Sequence, residues 1–151
     1  MRILAIDPGY DRLGVAVLEG NASRPILLWS NCVTPDKGAR EDRLARVSSA
    51  ITAAIKEYSP DAIAIETLFF SINKKTAFGV AEARGAILAV AGIAGLPVIE
   101  CSPQRVKLAV TGHGGADKAA MARMIPMLLT LPKKKRLDDE LDAIAIGLAA
   151  L

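Results

Sequence analysis

The sequence contains few residues of the kinds that support disulfide, zinc or thiol chemistry. There are two cysteines and one histidine among 151 residues. Cys32 and Cys101 both lie inside apolar segments without paired spacing, so we expect reduced core residues of a cytoplasmic protein. A zinc site and a catalytic thiol are therefore disfavoured. The single histidine, His113, is predicted to be an exposed loop residue.

Long hydrophobic runs are also absent. The longest apolar stretch, residues 86–96, contains glycines and is too short to cross a bilayer. A strand-like run follows Met1 directly, so we expect no signal peptide and no membrane association. Hydrophobic residues make up 52% of the chain and charged residues 23%. This composition predicts one compact domain over residues 1–151 with a substantial core.

Negative charge is slightly outnumbered. Nineteen lysines and arginines face sixteen aspartates and glutamates, which gives a formal net charge of +3. Several of the acids belong to the candidate site described below, so the remaining surface is more basic than the total suggests. Such a surface suits a polyanionic partner such as nucleic acid.

The order of apolar segments predicts the fold class. Period-two and continuous apolar runs indicate strands, and three- and four-residue spacing indicates helices. Strands are predicted over residues 2–6, 13–18, 26–33, 61–66 and 98–101, and helices over 40–58, 75–95, from Ser102-Pro103, from Asp117, and over 139–151. This order predicts an α/β fold with a mixed five-stranded sheet, antiparallel at its start and parallel after the first helix, with helices on both faces.

Acidic residues stand where hydrophobic segments stop. Asp7 and Glu66 end two apolar runs that look buried on both faces, so neighbouring central strands would bring them together. Asp139 and Asp142 are three residues apart and share a helix face. Acids in a first helical turn also complement the helix dipole, and Asp138 could replace Asp139 in the set. Together these carboxylates predict a divalent-metal site, because hard cations prefer oxygen ligands.

The motifs around these acids resemble those of the RuvC-type Holliday junction resolvases, which have an RNase H-like fold. The resemblance runs nearly end to end, and the order of the motifs is more specific than any one of them. The matching segments are Ile6-Asp7-Pro8-Gly9 with Gly14, Ile65-Glu66 followed by Leu68-Phe69, Gln104-Arg105-Val106-Lys107, residues 112–118, and Asp139 with Asp142-Ala143.

The resemblance implies a two-metal endonuclease. Two Mg²⁺ ions per subunit, with Mn²⁺ as a substitute, would lower the pKa of an attacking water and steady the leaving 3′ oxygen. The reaction would be symmetric paired nicking of four-way DNA junctions in recombination and repair. A branch-migration helicase complex is a further candidate partner. The metal ligands that the resemblance implies are Asp7, Glu66, Asp139 and Asp142.

The resemblance also implies a set of DNA contacts. Phe69 would stack on or wedge between bases, although a core ring is the alternative, and base stacking is typically worth ~1–3 kcal/mol. Two lysines, Lys107 and Lys118, would lie near the scissile phosphate, and a helix starting near Ala116 would add free N–H groups. Asn73 and Lys74 would bind phosphates. The basic run at residues 133–136 could follow a DNA backbone or be an ordinary charged loop.

The helix over residues 83–94 is apolar nearly all round, so it needs cover on more than one side. Burial within one domain would provide that cover, and so would a second subunit. A four-way junction has two-fold symmetry and is cut at two opposed points, which favours a homodimer.

Three alternatives to a resolvase are open at this point. A related pre-ribosomal-RNA-processing nuclease has a similar opening motif. A junction-binding protein without cleavage is another alternative, although intact acids argue against it. An actin-like ATPase lobe would need a second lobe and a phosphate loop, for which 151 residues are too few.

Overall fold

The structure is a computed structural model that describes residues 1–9, 11–35, 38–67 and 74–151, except for the side chains of residues 74–76. Its strands are Arg2–Pro8 (β1), Leu13–Asn21 (β2), Arg24–Val33 (β3), Ala62–Glu66 (β4) and Val98–Cys101 (β5). Its helices are Arg40–Tyr58 (α1), Lys74–Ile93 (α2), Pro103–Thr111 (α3), Lys118–Leu128 (α4) and Asp138–Ala150 (α5).

The strands form one mixed sheet in the order β3-β2-β1-β4-β5. The β1–β2 and β2–β3 pairs are antiparallel, whereas β1–β4 and β4–β5 are parallel. This arrangement confirms the predicted fold class. Because β1 and β4 run in the same direction at the centre of the sheet, their carboxyl ends meet at one edge, with Ile6 opposite Ile65. Asp7 and Glu66 follow these two residues.

Residues 3–6 of strand β1 are all hydrophobic, as expected for a central strand that is buried on both faces. Ile3 and Ala5 belong to a core that includes residues of α3, α4 and α5. Leu4 and Ile6 belong to a second core that includes residues of α1 and α2. Alternate side chains of a strand point to opposite faces of the sheet, so β1 supplies both cores and leaves its polar end at the edge.

Helix α5 lies unusually close to the sheet because glycine removes a side chain at the contact. A Cβ atom added at Gly14 would lie 1.9 Å from the carbonyl oxygen of Asp139. Gly14 pairs with Asp7 across the β1–β2 ladder. The close approach therefore brings the first turn of α5 to the end of β1, where Asp7 stands.

The helix starts show the sequence signals that predicted them, with one difference. Ser102 caps α3 by accepting a hydrogen bond from the Arg105 backbone N–H at 3.2 Å, and Pro103 opens the helix. Helix α4 begins at Lys118 with Asp117 as its N-cap, as predicted, and the Asp117 side chain accepts a hydrogen bond from the Ala120 N–H at 2.7 Å. This bond occupies one of the N–H groups that were expected to be free for phosphate. None of the described helices combines the length and hydropathy of a bilayer-spanning segment.

We expect Gly14→Ala to destabilise the fold and to reduce activity, because the new methyl group meets backbone that cannot rotate away. Overpacking of this kind typically costs about 1–3 kcal/mol. Urea denaturation of both proteins measures the loss. Gly114→Ala is the matched control, since its Cβ would lie 3.6 Å from the nearest atom, an ordinary contact. Equal stabilities for the two variants would contradict the close approach.

Candidate metal and nucleic-acid site

A cleft of about 430 Å³ opens at the edge of the sheet where β1 and β4 end. It collects six of the nine predicted site residues on one surface. Apolar side chains from α3, α4 and α5 complete the lining. The predicted residues in the cleft are Asp7, Glu66, Lys107, Lys118, Asp139 and Asp142, and the apolar ones are Pro103, Val106, Met121 and Ile146.

The other three predicted site residues fall outside what the structure describes. Phe69 and Asn73 lie in the segment 68–73, which is not among the described residues. Lys74 is the first residue of α2, and its side chain is likewise outside the described ranges. The predicted roles of these residues stay predictions.

Burial and neighbouring negative charges raise the pKa of two carboxylates in the cleft, Asp7 and Glu66. The pKa of Asp7 is raised from its ordinary value of 3.8 to about 7, chiefly by burial and in addition by the negative charges of Asp142, Glu66 and Asp139. Burial and the charge of Asp142 also raise the pKa of Glu66, while the nearby lysines oppose this shift. Such a cleft favours the binding of a cation. Its positive charge offsets both the desolvation of the buried carboxylates and their mutual repulsion.

Cationic side chains already neutralise two of these acids. Arg12 Nε lies 3.1 Å from Asp139 Oδ2, and Lys118 Nζ lies 3.1 Å from Asp142 Oδ2. Asp139 Oδ2 is nevertheless buried without a hydrogen bond, so its contact with Arg12 is an ion pair of poor alignment. Within the described residues no three acidic, histidine or cysteine side chains are already arranged around one point.

The donor set fits a hard divalent cation. All four acids offer carboxylate oxygens, which Mg²⁺ and Mn²⁺ prefer, and one buried oxygen lacks a hydrogen-bond donor. A bound cation would compete with Arg12 and Lys118 for the carboxylates of Asp139 and Asp142. The residues therefore fit the group that the sequence implied, although the geometry is not that of a loaded site.

The three consecutive acids that begin α5 face three different surroundings. Asp139 lines the cleft, whereas Asp138 is exposed beside Lys118 outside it. Glu140 is buried and does not line the cleft. The geometry thus favours Asp139 over Asp138 as the partner of Asp142, and this choice could not be made from spacing alone.

The basic run at residues 133–136 does not point uniformly outward. Lys134 Nζ lies 2.7 Å and Arg136 Nε 3.3 Å from Glu140 Oε1. The side chain of Arg136 is only 7% exposed. Lys133, Lys134 and Lys135 are exposed. Two residues of the run are therefore paired with Glu140, and a contact of the run with a DNA backbone stays a prediction.

Two arginines near the site were missed by sequence reasoning. Arg12 forms the ion pair with Asp139, and Arg84 reaches from α2 to the end of β4. Arg84 Nη1 donates to the Glu66 carbonyl oxygen at 2.8 Å, and Nη2 lies 2.9 Å from Glu100. An arginine within the otherwise apolar stretch of α2 was the only signal that could have identified Arg84.

We expect the raised pKa of Asp7 to make the metal-free protein less stable above pH 7. The folded state keeps the Asp7 proton up to about pH 7, whereas the unfolded chain releases it near 3.8, so the free energy of unfolding falls as pH rises between these values. Asp7→Asn removes this loss. In EDTA, the variant should gain melting temperature over the wild type at pH 8 and much less at pH 4.

Divalent metal supplies the control for this pH effect. Adding Mg²⁺ at pH 8 should raise the melting temperature of the wild type, because the cation offsets the repulsion that Asp7 feels, and should raise that of Asp7→Asn less. A difference between the two proteins that is the same at both pH values would contradict the assignment of the repulsion to Asp7.

Comparison with known proteins gives a consistent result along the whole chain. The family model for the crossover junction endodeoxyribonuclease RuvC matches residues 3–150. RuvC of Thermosipho melanesiensis is 44% identical over 148 residues, covering 97% of this chain and 94% of its own. RuvC of Brevibacillus brevis is 40% identical over 151 residues, covering 98% and 90%.

Solved structures agree with the sequence matches. Thermus thermophilus RuvC in complex with Holliday junction substrate superposes with a TM-score of 0.91 at 33% identity, covering 99% of this chain and 92% of that chain. The yeast mitochondrial Holliday junction resolvase, at 11% identity and a TM-score of 0.71, shows the shared fold alone. These matches and the convergence of the predicted acids in one cleft lead to one conclusion: the chain belongs to the RuvC family of crossover junction endodeoxyribonucleases.

Proposed function

We propose that this protein resolves four-way DNA junctions by metal-dependent hydrolysis of two opposed phosphodiester bonds. The observation that carries the proposal is the cleft, where four carboxylates from β1, β4 and α5 face two lysines from α3 and α4. Membership of the RuvC family supplies the reaction class. The complex of Thermus thermophilus RuvC with Holliday junction substrate supports the choice of DNA.

Two Mg²⁺ ions are the proposed cofactors, with Mn²⁺ as a substitute. When bound, such a pair supplies an activated water and stabilises the leaving oxygen. The protein's role is to hold the ions and the phosphate. Asp7 and Glu66 are fixed by buried strands, whereas Asp139 and Asp142 share one helix turn, so the ligands come from rigid elements. Because the attacking group would be a metal-activated water, the reaction needs no side-chain nucleophile.

The lysines of the cleft are proposed to bind the phosphate under attack. Lys107 and Lys118 lie on different helices and line the same cleft as the carboxylates. Metal bound to Asp142 would free the Lys118 ammonium, whose pKa is raised chiefly by its hydrogen bond to Asp142. A released lysine can then bind a phosphate oxygen. We keep Phe69, Asn73 and Lys74 as predicted contacts to bases and backbone.

A homodimer is the proposed assembly. Helix α2 buries Ala83, Ile87 and Ala91 against the protein, and its opposite side is open. That side carries large apolar side chains at 78% and 89% exposure beside glycines at which an added Cβ atom would meet nothing within 4 Å. An apolar face with small residues lets a second copy of the helix approach closely. The open face consists of Phe78, Gly85, Leu88, Ala89, Gly92 and Ile93.

A two-fold dimer would present two equivalent clefts to a two-fold junction, which explains paired nicking without a second type of site. We also propose that residues 1–151 act as one nuclease domain, because a single sheet supports both cores. A cytoplasmic location and a branch-migration helicase partner stay predictions.

Junction cleavage tests the proposed function. We expect symmetric paired nicks in a labelled four-way junction with Mg²⁺, none with EDTA, and none in a matched linear duplex or single-stranded RNA. Glu66→Gln should abolish cleavage and retain junction binding, because the lysines remain. The rate should fall by more than the roughly 100-fold typical of losing a group that only supports a ligand.

Asp139→Asn and Asp138→Asn form a matched pair for the same assay, since each removes one charge from the first turn of α5. The first should be inactive and the second active. RNA trimming without junction cleavage would favour the RNA-processing alternative. Junction binding without any cleavage would favour a non-catalytic junction-binding protein.

The dimer is tested at Gly85, where a long side chain would project from the open face without meeting its own protomer. We expect the wild type to sediment as a dimer and Gly85→Arg as a monomer with an unchanged fold. Ala53→Arg is the control, because Ala53 is exposed on α1 and is not part of α2. A dimeric Gly85→Arg protein, or a monomeric wild type at micromolar concentration, would contradict the proposed interface.

A further inference from the structure

Glu140 is a buried charge that the proposed chemistry does not use. It is 4% exposed and is the only charged residue among the buried ones in the described ranges. Its Oε1 accepts a hydrogen bond from the Ser30 hydroxyl and lies within ion-pair distance of Lys134 and Arg136. Lys134 Nζ also donates to the Ser30 carbonyl oxygen at 2.7 Å. The network joins β3, the segment before α5, and the first turn of α5.

This network lies directly beside the proposed ligands. Glu140 follows Asp139 in the chain, and successive residues of an α-helix are rotated by about 100°. Asp139 and Asp142 therefore face the cleft while Glu140 faces β3. Ser30 pairs with Ala16 on β2, two residues beyond Gly14, where the Asp139 backbone touches the sheet. At the start of α5, Asp139 therefore contacts β2 and Glu140 contacts the neighbouring strand β3.

Anchoring of the helix as a whole does not require this network. Residues 143–150 of α5 are all buried and pack on the sheet by apolar contact. The first turn has less of that support, because the half-buried Leu141 is its one apolar residue packed on the core. Its N-cap, Leu137, makes no side-chain capping hydrogen bond. The turn also carries three adjacent acids. A buried ion network is weak evidence of added stability but can specify one arrangement over others.

We propose that Glu140 is a positioning residue that fixes the rotation of the first turn of α5, so that Asp139 and Asp142 face Asp7 and Glu66 across the cleft. The proposal rests on the proposed function of these four carboxylates. Ser30, Lys134 and Arg136 act through Glu140. Lys134 and Arg136 consequently belong to the support of the metal site rather than to a DNA-binding surface.

The test compares metal binding, cleavage and junction binding in Glu140→Gln, which keeps the shape of the side chain and removes its charge. Mn²⁺ binding is measured by isothermal titration calorimetry without DNA. We expect affinity for Mn²⁺ and kcat to fall by roughly 10–100-fold, the usual effect of removing a group that orients a ligand. The Kd for junction in EDTA should stay within a factor of about two, because the cleft lysines are intact.

Ser30→Ala provides a second variant in case Glu140→Gln folds poorly. It removes one hydrogen bond and leaves both ion pairs, so the fold should persist while Mn²⁺ affinity falls in the same direction by a smaller factor. Melting temperatures establish that each variant is folded at the assay temperature. A folded Glu140→Gln protein with wild-type Mn²⁺ affinity and kcat would overturn the proposal, as would wild-type values for Ser30→Ala if Glu140→Gln does not fold.

Two further variants separate this inference from the proposed function. Asp138→Asn removes the same charge from the same turn at an exposed position, so its Mn²⁺ affinity should match the wild type. An equal loss in Asp138→Asn and Glu140→Gln would show a charge effect and overturn positioning. Asp139→Asn should lose both Mn²⁺ binding and cleavage. If it kept both, the proposed function itself would fail, whatever the result at Glu140.

Discussion

Repulsion among four carboxylates at the end of the central strands is the constraint on which the rest of the structure depends. Burial alone makes a charged Asp7 unfavourable, and three further acids add to the cost. The protein offsets some of this cost with Arg12 and Lys118, each in an ion pair with one acid. Divalent metal relieves the repulsion more completely, since each ion carries two charges. The carboxylates of the cleft therefore lower the stability of the metal-free fold, and the same carboxylates are suited to bind cations.

Close packing of α5 on the sheet is what brings the acids together. Gly14 allows the Asp139 backbone to touch β2. Gly147 allows the same close approach near the end of the helix, where an added Cβ would lie 2.4 Å from Leu18 Cδ1. The glycines fix the distance between helix and sheet, and the Glu140 network supports the first turn from the side of β3. The distance is thus set by Gly14 of β2 and Gly147 of α5, and the proposed control of rotation comes from Glu140 of α5.

Helix α2 connects the open apolar face to the cleft. Its buried side packs on β1 and α1, and Arg84 donates a hydrogen bond to the Glu66 carbonyl at the end of β4. In the proposed dimer, a partner helix on the open side would pack on the same helix that carries Arg84. Such packing would link assembly to the position of Glu66 without any change in fold.

The sequence by itself determined the order and type of the elements, because strand and helix periodicities are local properties. Helix α1 was predicted with the bounds Arg40–Tyr58 that the structure has, and Ser102 was recognised as a cap. The acids at the ends of β1 and β4 were predicted to meet because parallel neighbouring strands end at one edge. In these cases a local pattern and a general rule of sheet topology were enough.

Only the tertiary structure decided which groups face each other across long separations in the chain. Ser30 and Glu140 are 110 residues apart, and no pattern in either segment predicts their contact. The rotation of α5 selects Asp139 rather than Asp138 for the cleft, and the same rotation turns Glu140 toward Lys134 and Arg136. Rotation about a helix axis depends on packing against distant strands, so spacing along the sequence could not decide it.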